Sequence, residues 1–94
     1  MEPFIFHCRN NGKDGFIRLG LTFRMSNEEA LAEARENTPL LRRSVTFYMK
    51  TRDVNELLSE RTRRKILEEI RGNIDKSLKD GRATAVFADE FVVY

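Results

Sequence analysis

The chain contains one histidine and one cysteine, His7 and Cys8, and the two are adjacent. An imidazole beside a thiol can activate the sulfur as a nucleophile. Residues 4–8, however, alternate between two sets of side chains, which is typical of a strand with one buried face. Consecutive side chains of a strand point to opposite faces, so we expect a buried Cys8, an exposed His7 and no catalytic pair. A single cysteine also excludes an intramolecular disulfide and a cysteine metal cluster.

Carboxylates at short spacing are the second group that could do chemistry. Glu28, Glu29 and Glu33 fall close together on a predicted helix, and carboxylate oxygens are ligands for hard cations. Glu28 and Glu29 have a structural role as well, since acidic residues in the first turn complement the helix dipole. Ser26 and Glu29 also match the capping-box pattern, in which the serine hydroxyl accepts from the N–H three residues on. We therefore predict a helix start here and no metal site.

Basic residues form the third group, in the run ERTRRK at positions 60–65. Arg61, Arg63, Arg64 and Lys65 could bind a polyanion through their charge. The run has no interleaved aromatic residue and is followed one turn later by acidic ones, which disfavours a nucleic-acid site. A net charge of +2, from 17 Lys and Arg against 15 Asp and Glu, does not by itself imply a polyanionic partner. A polyanion-binding module is therefore kept as an alternative.

The glycines indicate turns rather than a phosphate site. The loop RNNGKDG at residues 9–15 lacks the P-loop pattern and precedes a strand, not a helix. The sequence therefore shows no nucleophile–base pair, ligand cluster or phosphate loop. We predict that the protein is not an enzyme and uses no metal or cofactor.

The first elements expected are two strands joined by a hairpin. Turn signals at Asn11–Gly12 and Asp14–Gly15 separate residues 4–8 from residues 16–25. The second strand alternates cleanly, with Gly20 on the outer face, where it could admit a close neighbour. Its inner face consists of large apolar residues: Ile17, Leu19, Leu21, Phe23 and Met25.

The next segments predict helices over residues 26–36 and 38–49. Thr38 is suited to cap the second helix, and Pro39 fits its first turn. The wide apolar stripe of this helix, and Phe47 outside that stripe, place it at the centre of the expected core.

The C-terminal half predicts a capped turn at residues 53–58, a long helix and a last strand. The long helix runs from Ser59 to about Lys79 and is expected to end at a left-handed Gly81. Residues 83–94 are apolar on both faces, which favours an interior or doubly covered strand, with Asp89 and Glu90 at a bulge.

Together these elements predict one α+β domain over residues 1–94. A small β-sheet, made of the N-terminal hairpin and the C-terminal strand, packs against about three helices. The strand order is left open by the periodicity. No apolar run approaches the length of a bilayer span, and no signal peptide is expected.

Several segments in order resemble the soluble domain of the flagellar basal-body protein FliL family. They are EPFIF, FIRLGLTF, SNEEALAEA, TPLLRRSVTFYMKTRDVNELLSERTRRKILEEIRGNID and ADEFVVY. The chain differs from the family pattern at His7, Cys8 and Tyr94. It also lacks the membrane helix and linker that usually precede this domain.

The resemblance implies a stomatin-like fold and a non-enzymatic scaffold on the periplasmic side of the bacterial inner membrane. Such a scaffold would assemble around the flagellar stator, the MotA–MotB complex, and support torque and motility. It would form a ring when tethered to the membrane by an upstream helix. A generic stomatin-like membrane scaffold without a motor partner is the other alternative.

Assembly of this kind needs two complementary surfaces on each copy. Two candidates of opposite charge are expected to bind partners or a second copy. The acidic one consists of Glu28, Glu29, Glu33 and Glu36, and the basic one of Arg42, Arg43, Arg61, Arg63 and Arg64.

Overall fold

The computed structural model describes residues 1–94, apart from the side chain of Asn10. Three strands and three helices confirm the predicted α+β class. In chain order they are β1 (Phe4–Asn10), β2 (Lys13–Met25), α1 (Glu28–Glu36), α2 (Thr38–Lys50), a 3₁₀ turn (Val54–Leu58), α3 (Glu60–Ser77) and β3 (Ala83–Val93).

The strands form one antiparallel sheet in the order β1-β2-β3. The interior strand is therefore β2, and the prediction that the C-terminal strand is interior is wrong. Both faces of β3 carry apolar side chains, but only one face is covered by the helices. Phe91 lies on the helix side, whereas Phe87 and Val92 are exposed on the other side.

The turn between β1 and β2 consists of Asn11 and Gly12, both with positive φ (54° and 77°). Such a two-residue turn matches the twist of the strands it joins. The second turn signal, Asp14–Gly15, lies inside β2 instead, because the tight turn leaves Asp14 paired with Arg9. Part of the expected hairpin loop, residues 13–15, thus extends β2.

The core lies between one face of the sheet and the helices. Ile17, Leu19 and Leu21 of β2 are buried, as predicted from their alternation. Opposite them α3 buries a stripe at four-residue spacing, Ile66, Ile70 and Ile74. The centre of the core is therefore α3 with β2.

Helix α2 covers the side of this core, and its expected central position is wrong. Its buried stripe is narrower than predicted and consists of Leu41, Val45 and Met49. Leu40 is exposed, and the side chain of Phe47 is 71% exposed. The second face of α2 has no cover within the described part of the chain.

Two of the predicted helix caps are wrong by one residue. The cap of α1 is Asn27, whose Oδ1 accepts from the Ala30 N–H at 2.8 Å. Ser26 pairs instead through its backbone with Arg82. Thr38 lies inside α2, and its hydroxyl donates to the carbonyl of Arg35 at 3.1 Å.

The role of Gly81 also differs from the predicted one. Helix α3 ends at Ser77, and Gly81 is needed for close packing, since a Cβ there would lie 2.5 Å from the Ala30 Cβ.

The predicted bulge in β3 is confirmed. Gly20 pairs with Glu90 and the next residue, Leu21, with Ala88, so that Asp89 has no partner residue on β2.

Candidate partner-binding surfaces

The acidic surface on α1 is built around a residue that serves the fold. The Glu33 carboxylate accepts from three successive backbone N–H groups, of Lys79 at 2.6 Å, Gly81 at 3.0 Å and Asp80 at 3.3 Å. The bond from Lys79, aided by the other two against partial desolvation, lowers the pKa of Glu33 below its usual 4.5. Glu33 is therefore an internal anchor of the fold, and its assignment to partner binding stays a prediction.

Glu28, Glu29 and Glu36 are exposed on the same helix. They keep the acidic character of this surface without Glu33. No group of three or more histidine, cysteine, aspartate or glutamate side chains in the described structure is arranged to hold a metal ion.

The predicted basic surface is divided between the two edges of the sheet. The Arg42 guanidinium stacks on the ring of Phe4 in β1, 4.1 Å from its centre, and donates to the carbonyl of Glu2. The Arg63 guanidinium stacks on Phe91 in β3 at 4.4 Å and donates to the Leu57 carbonyl at 2.8 Å. Both side chains are half-buried and hold parts of the chain together. Arg42 and Arg63 thus serve the fold, and their assignment to partner binding stays a prediction.

The other basic candidates lie on the surface. Arg64 is exposed and forms an i,i+4 ion pair with Glu60 at 3.1 Å. Arg43, Arg61 and Lys65 are exposed. The basic residues therefore do not form one continuous patch.

Helices α2 and α3 are tied by a polar cluster that the sequence did not indicate. The Tyr48 hydroxyl donates to the Glu69 carboxylate, and Arg52 lies between Glu56 at 2.8 Å and Glu69 at 3.7 Å. Burial, with the nearby Glu69 charge, raises the pKa of Tyr48 to about 12. The cluster is structural, because every member has a partner within the chain.

An apolar surface on the outer face of the sheet is the feature that sequence reasoning missed. The register places Ile5, Arg18 and Val92 in one row across the three strands. His7, Phe16 and Tyr94 form the next row, since Phe16 and Tyr94 exchange both backbone hydrogen bonds. We call the four large apolar members of these rows the outer face patch: Ile5 (58% exposed), Phe16 (50%), Val92 (40%) and Tyr94 (67%).

Clustered exposed apolar side chains of this kind mark interaction surfaces, and here Ile5 and Val92 flank Arg18, which is paired with Glu90. The available signal was the second face of the alternating strands. It could be combined into a patch only once β3 was known to pair beside β2.

None of the helices that the structure describes is both long enough and apolar enough to cross a membrane.

The sequence matches the model of one protein family across residues 1–93, that of the flagellar basal body-associated protein FliL. It is also similar to a flagellar protein FliL from Aquifex aeolicus (strain VF5). The two are 23% identical over 91 residues, which cover 97% of this chain and 56% of that relative. The chain thus spans little more than half the length of the curated relative. Because the family model matches almost every residue, the chain belongs to the FliL family of flagellar basal body-associated proteins.

Proposed function

We propose that this domain is a non-enzymatic scaffold at the flagellar basal body. It acts on the periplasmic side of the inner membrane, beside a stator of the MotA–MotB type, and supports motor torque. The family match supports the flagellar setting. The observation that supports the scaffold role is the outer face patch, whose exposed apolar side chains are of the kind that contact other proteins.

The patch is the surface that we assign to contact between copies. Its two rows contain apolar side chains from all three strands, so one copy presents a continuous area to another. The patch is small, and we expect copies in dilute solution to associate weakly. Tethering to a membrane raises the effective concentration and turns weak contacts into an assembly.

A motility experiment with the full-length protein tests this function. Phe16→Glu places a charge in the outer face patch, whereas Phe47→Glu places the same charge on an exposed phenylalanine of α2 as a matched control. We expect Phe16→Glu to reduce swimming and assembly at the flagellar base, and Phe47→Glu to leave both unchanged. Equal effects of the two variants would contradict the assignment.

Stator dependence separates the motor scaffold from a generic stomatin-like scaffold. A fluorescent fusion of the full-length protein should lose its focus at the flagellar base in cells without the stator.

The polyanion-binding alternative is weakened, because Arg63 is held by Leu57 and Phe91 and Arg64 is paired with Glu60.

A further inference from the structure

The free edge of β1 is closed at both ends and open in the middle. At one end Arg42 donates to the carbonyls of Glu2 and Pro3. At the other end the side-chain N–H of Asn55 donates to the carbonyl of Arg9 at 2.9 Å. Side chains that cover strand ends in this way limit pairing with other chains.

The position of the Arg9 carbonyl shows which backbone groups face this edge. In an antiparallel pair, alternate residues direct both N–H and C=O toward the partner strand, and the others direct both away. Because Arg9 faces away from β2, so do His7 and Ile5. Within the described structure, neither residue donates or accepts a backbone hydrogen bond on that side.

A groove adjoins this open stretch. Its one wall is formed by residues 5–9 of β1, and its other wall by the end of α2 and the 3₁₀ turn. The second wall includes Thr46, Met49, Lys50, Asp53, Val54 and Asn55. A strand of about five residues, roughly 16 Å long, matches residues 5–9 in length.

The charge of the groove favours an acidic occupant. Arg9 and Lys50 are exposed and form no ion pair among the described side chains. The acidic residue of the lining, Asp53, already accepts from the Asn55 N–H as a helix cap. On the helix side, the half-buried Phe6 and Val54 supply apolar contacts.

We propose that this groove binds an extended acidic peptide segment of a partner protein as a fourth strand beside β1. The peptide backbone pairs with the N–H and C=O groups of Ile5 and His7. Side chains of an added strand alternate between faces, so apolar ones contact Phe6 and Val54 on the helix side while acidic ones lie near Arg9 on the outer side. Lys50, in the opposite wall of the groove, adds positive charge beside the peptide. The groove depends only on contacts within this chain and is independent of the flagellar assignment.

An end-blocked six-residue peptide of alternating glutamate and valine is the probe. Amide hydrogen exchange and NMR shifts of the 94-residue chain report where it binds. We expect the N–H groups of Ile5 and His7 to become protected, whereas those of Phe6 and Cys8, which face β2, are protected throughout. A peptide of alternating lysine and valine should bind more weakly.

Matched variants localise the effect. Lys50→Glu should weaken binding by about fivefold, as expected for loss of an exposed charge contact, whereas Lys65→Glu on α3 should not. His7→Pro removes an edge N–H without removing a bond to β2 and should abolish binding, whereas Val93→Pro on the opposite edge should not.

Three results with the peptides and variants would overturn the proposal. They are unchanged exchange at Ile5 and His7 with the acidic peptide, equal binding of the acidic and basic peptides, and equal effects of Lys50→Glu and Lys65→Glu. Protection of Ile5 and His7 that rises with protein concentration alone would assign the groove to a second copy instead, and would also overturn it.

Discussion

The two edge strands each carry a phenylalanine covered by an arginine, yet the two arginines hold different parts of the chain. Phe4 of β1 and Phe91 of β3 both pair with Leu19 and so lie in one row on the helix side of the sheet. Arg42 on Phe4 binds the chain terminus through Glu2, whereas Arg63 on Phe91 binds the interior turn through Leu57. Arg42 of α2 thus fastens the β1 edge and the residues before it, whereas Arg63 of α3 fastens the β3 edge to the 3₁₀ turn.

This difference shows why the number of basic residues in a sequence segment does not predict a binding surface. The sequence places Arg61, Arg63 and Arg64 within one helical turn and a half, where they look equivalent. The packing of β3 separates them, because only Arg63 points at Phe91. An arginine over an aromatic ring with a satisfied donor stabilises the fold and is not free for a partner.

The largest effect is expected at the β3 edge. Arg63→Ala should lower the free energy of unfolding by about 2 kcal/mol, since it removes both a stacked guanidinium and a charged hydrogen bond. Denaturant unfolding measures this, with Arg61→Ala as the control that should change stability by less than about 0.5 kcal/mol. Similar losses for the two variants would show that Arg63 is not an anchor.

A smaller effect is expected at the β1 edge. Arg42→Ala should cost about 1 kcal/mol, because the carbonyls of Glu2 and Pro3 become solvated when the arginine is removed. Hydrogen exchange should increase in the first residues of β1 and not in β3. Faster exchange spread over both strands would mean that the two edges are coupled.

The smallest effect is expected where Glu33 holds the segment leading into β3. Glu33→Gln should destabilise the protein less than either arginine variant, because the amide oxygen still accepts from the Lys79 N–H. A carboxyl with a lowered pKa in the folded state stabilises the fold above its usual pKa and loses this contribution as the pH falls. The difference between wild type and variant should therefore be present at neutral pH, shrink as the pH falls below 4.5 and disappear only below the lowered pKa of Glu33.

Unfolding free energies measured from neutral pH downward test this. Glu29→Gln, on the exposed side of the same helix, is the control. A Glu33→Gln difference that persists unchanged at low pH would contradict a role for the ionised carboxylate.

Features that depend on periodicity could be predicted from the sequence. The alternation of Ile17, Leu19 and Leu21 and the four-residue spacing of Ile66, Ile70 and Ile74 reflect burial against a single neighbour. These patterns were sufficient for the class of the fold and for most of its core.

Features that depend on distant partners could not be predicted. Ser26 and Asn27 are both suitable caps, and the pairing of Ser26 with Arg82 decides between them. Glu33 looks like any other surface glutamate until the segment after α3 folds onto α1. The outer face patch likewise needs the register of β3, which no local pattern contains.

The position of β2 between the first and last strands has a consequence for synthesis. Ile17 pairs with Val93, so β2 lacks its second neighbour until the last residues of this chain have left the ribosome. Contacts between such distant residues slow folding, because the intervening chain must be ordered first. Until then the nascent chain exposes a strand with one unpaired edge and a continuous apolar face, the kind of segment that aggregates or recruits a chaperone.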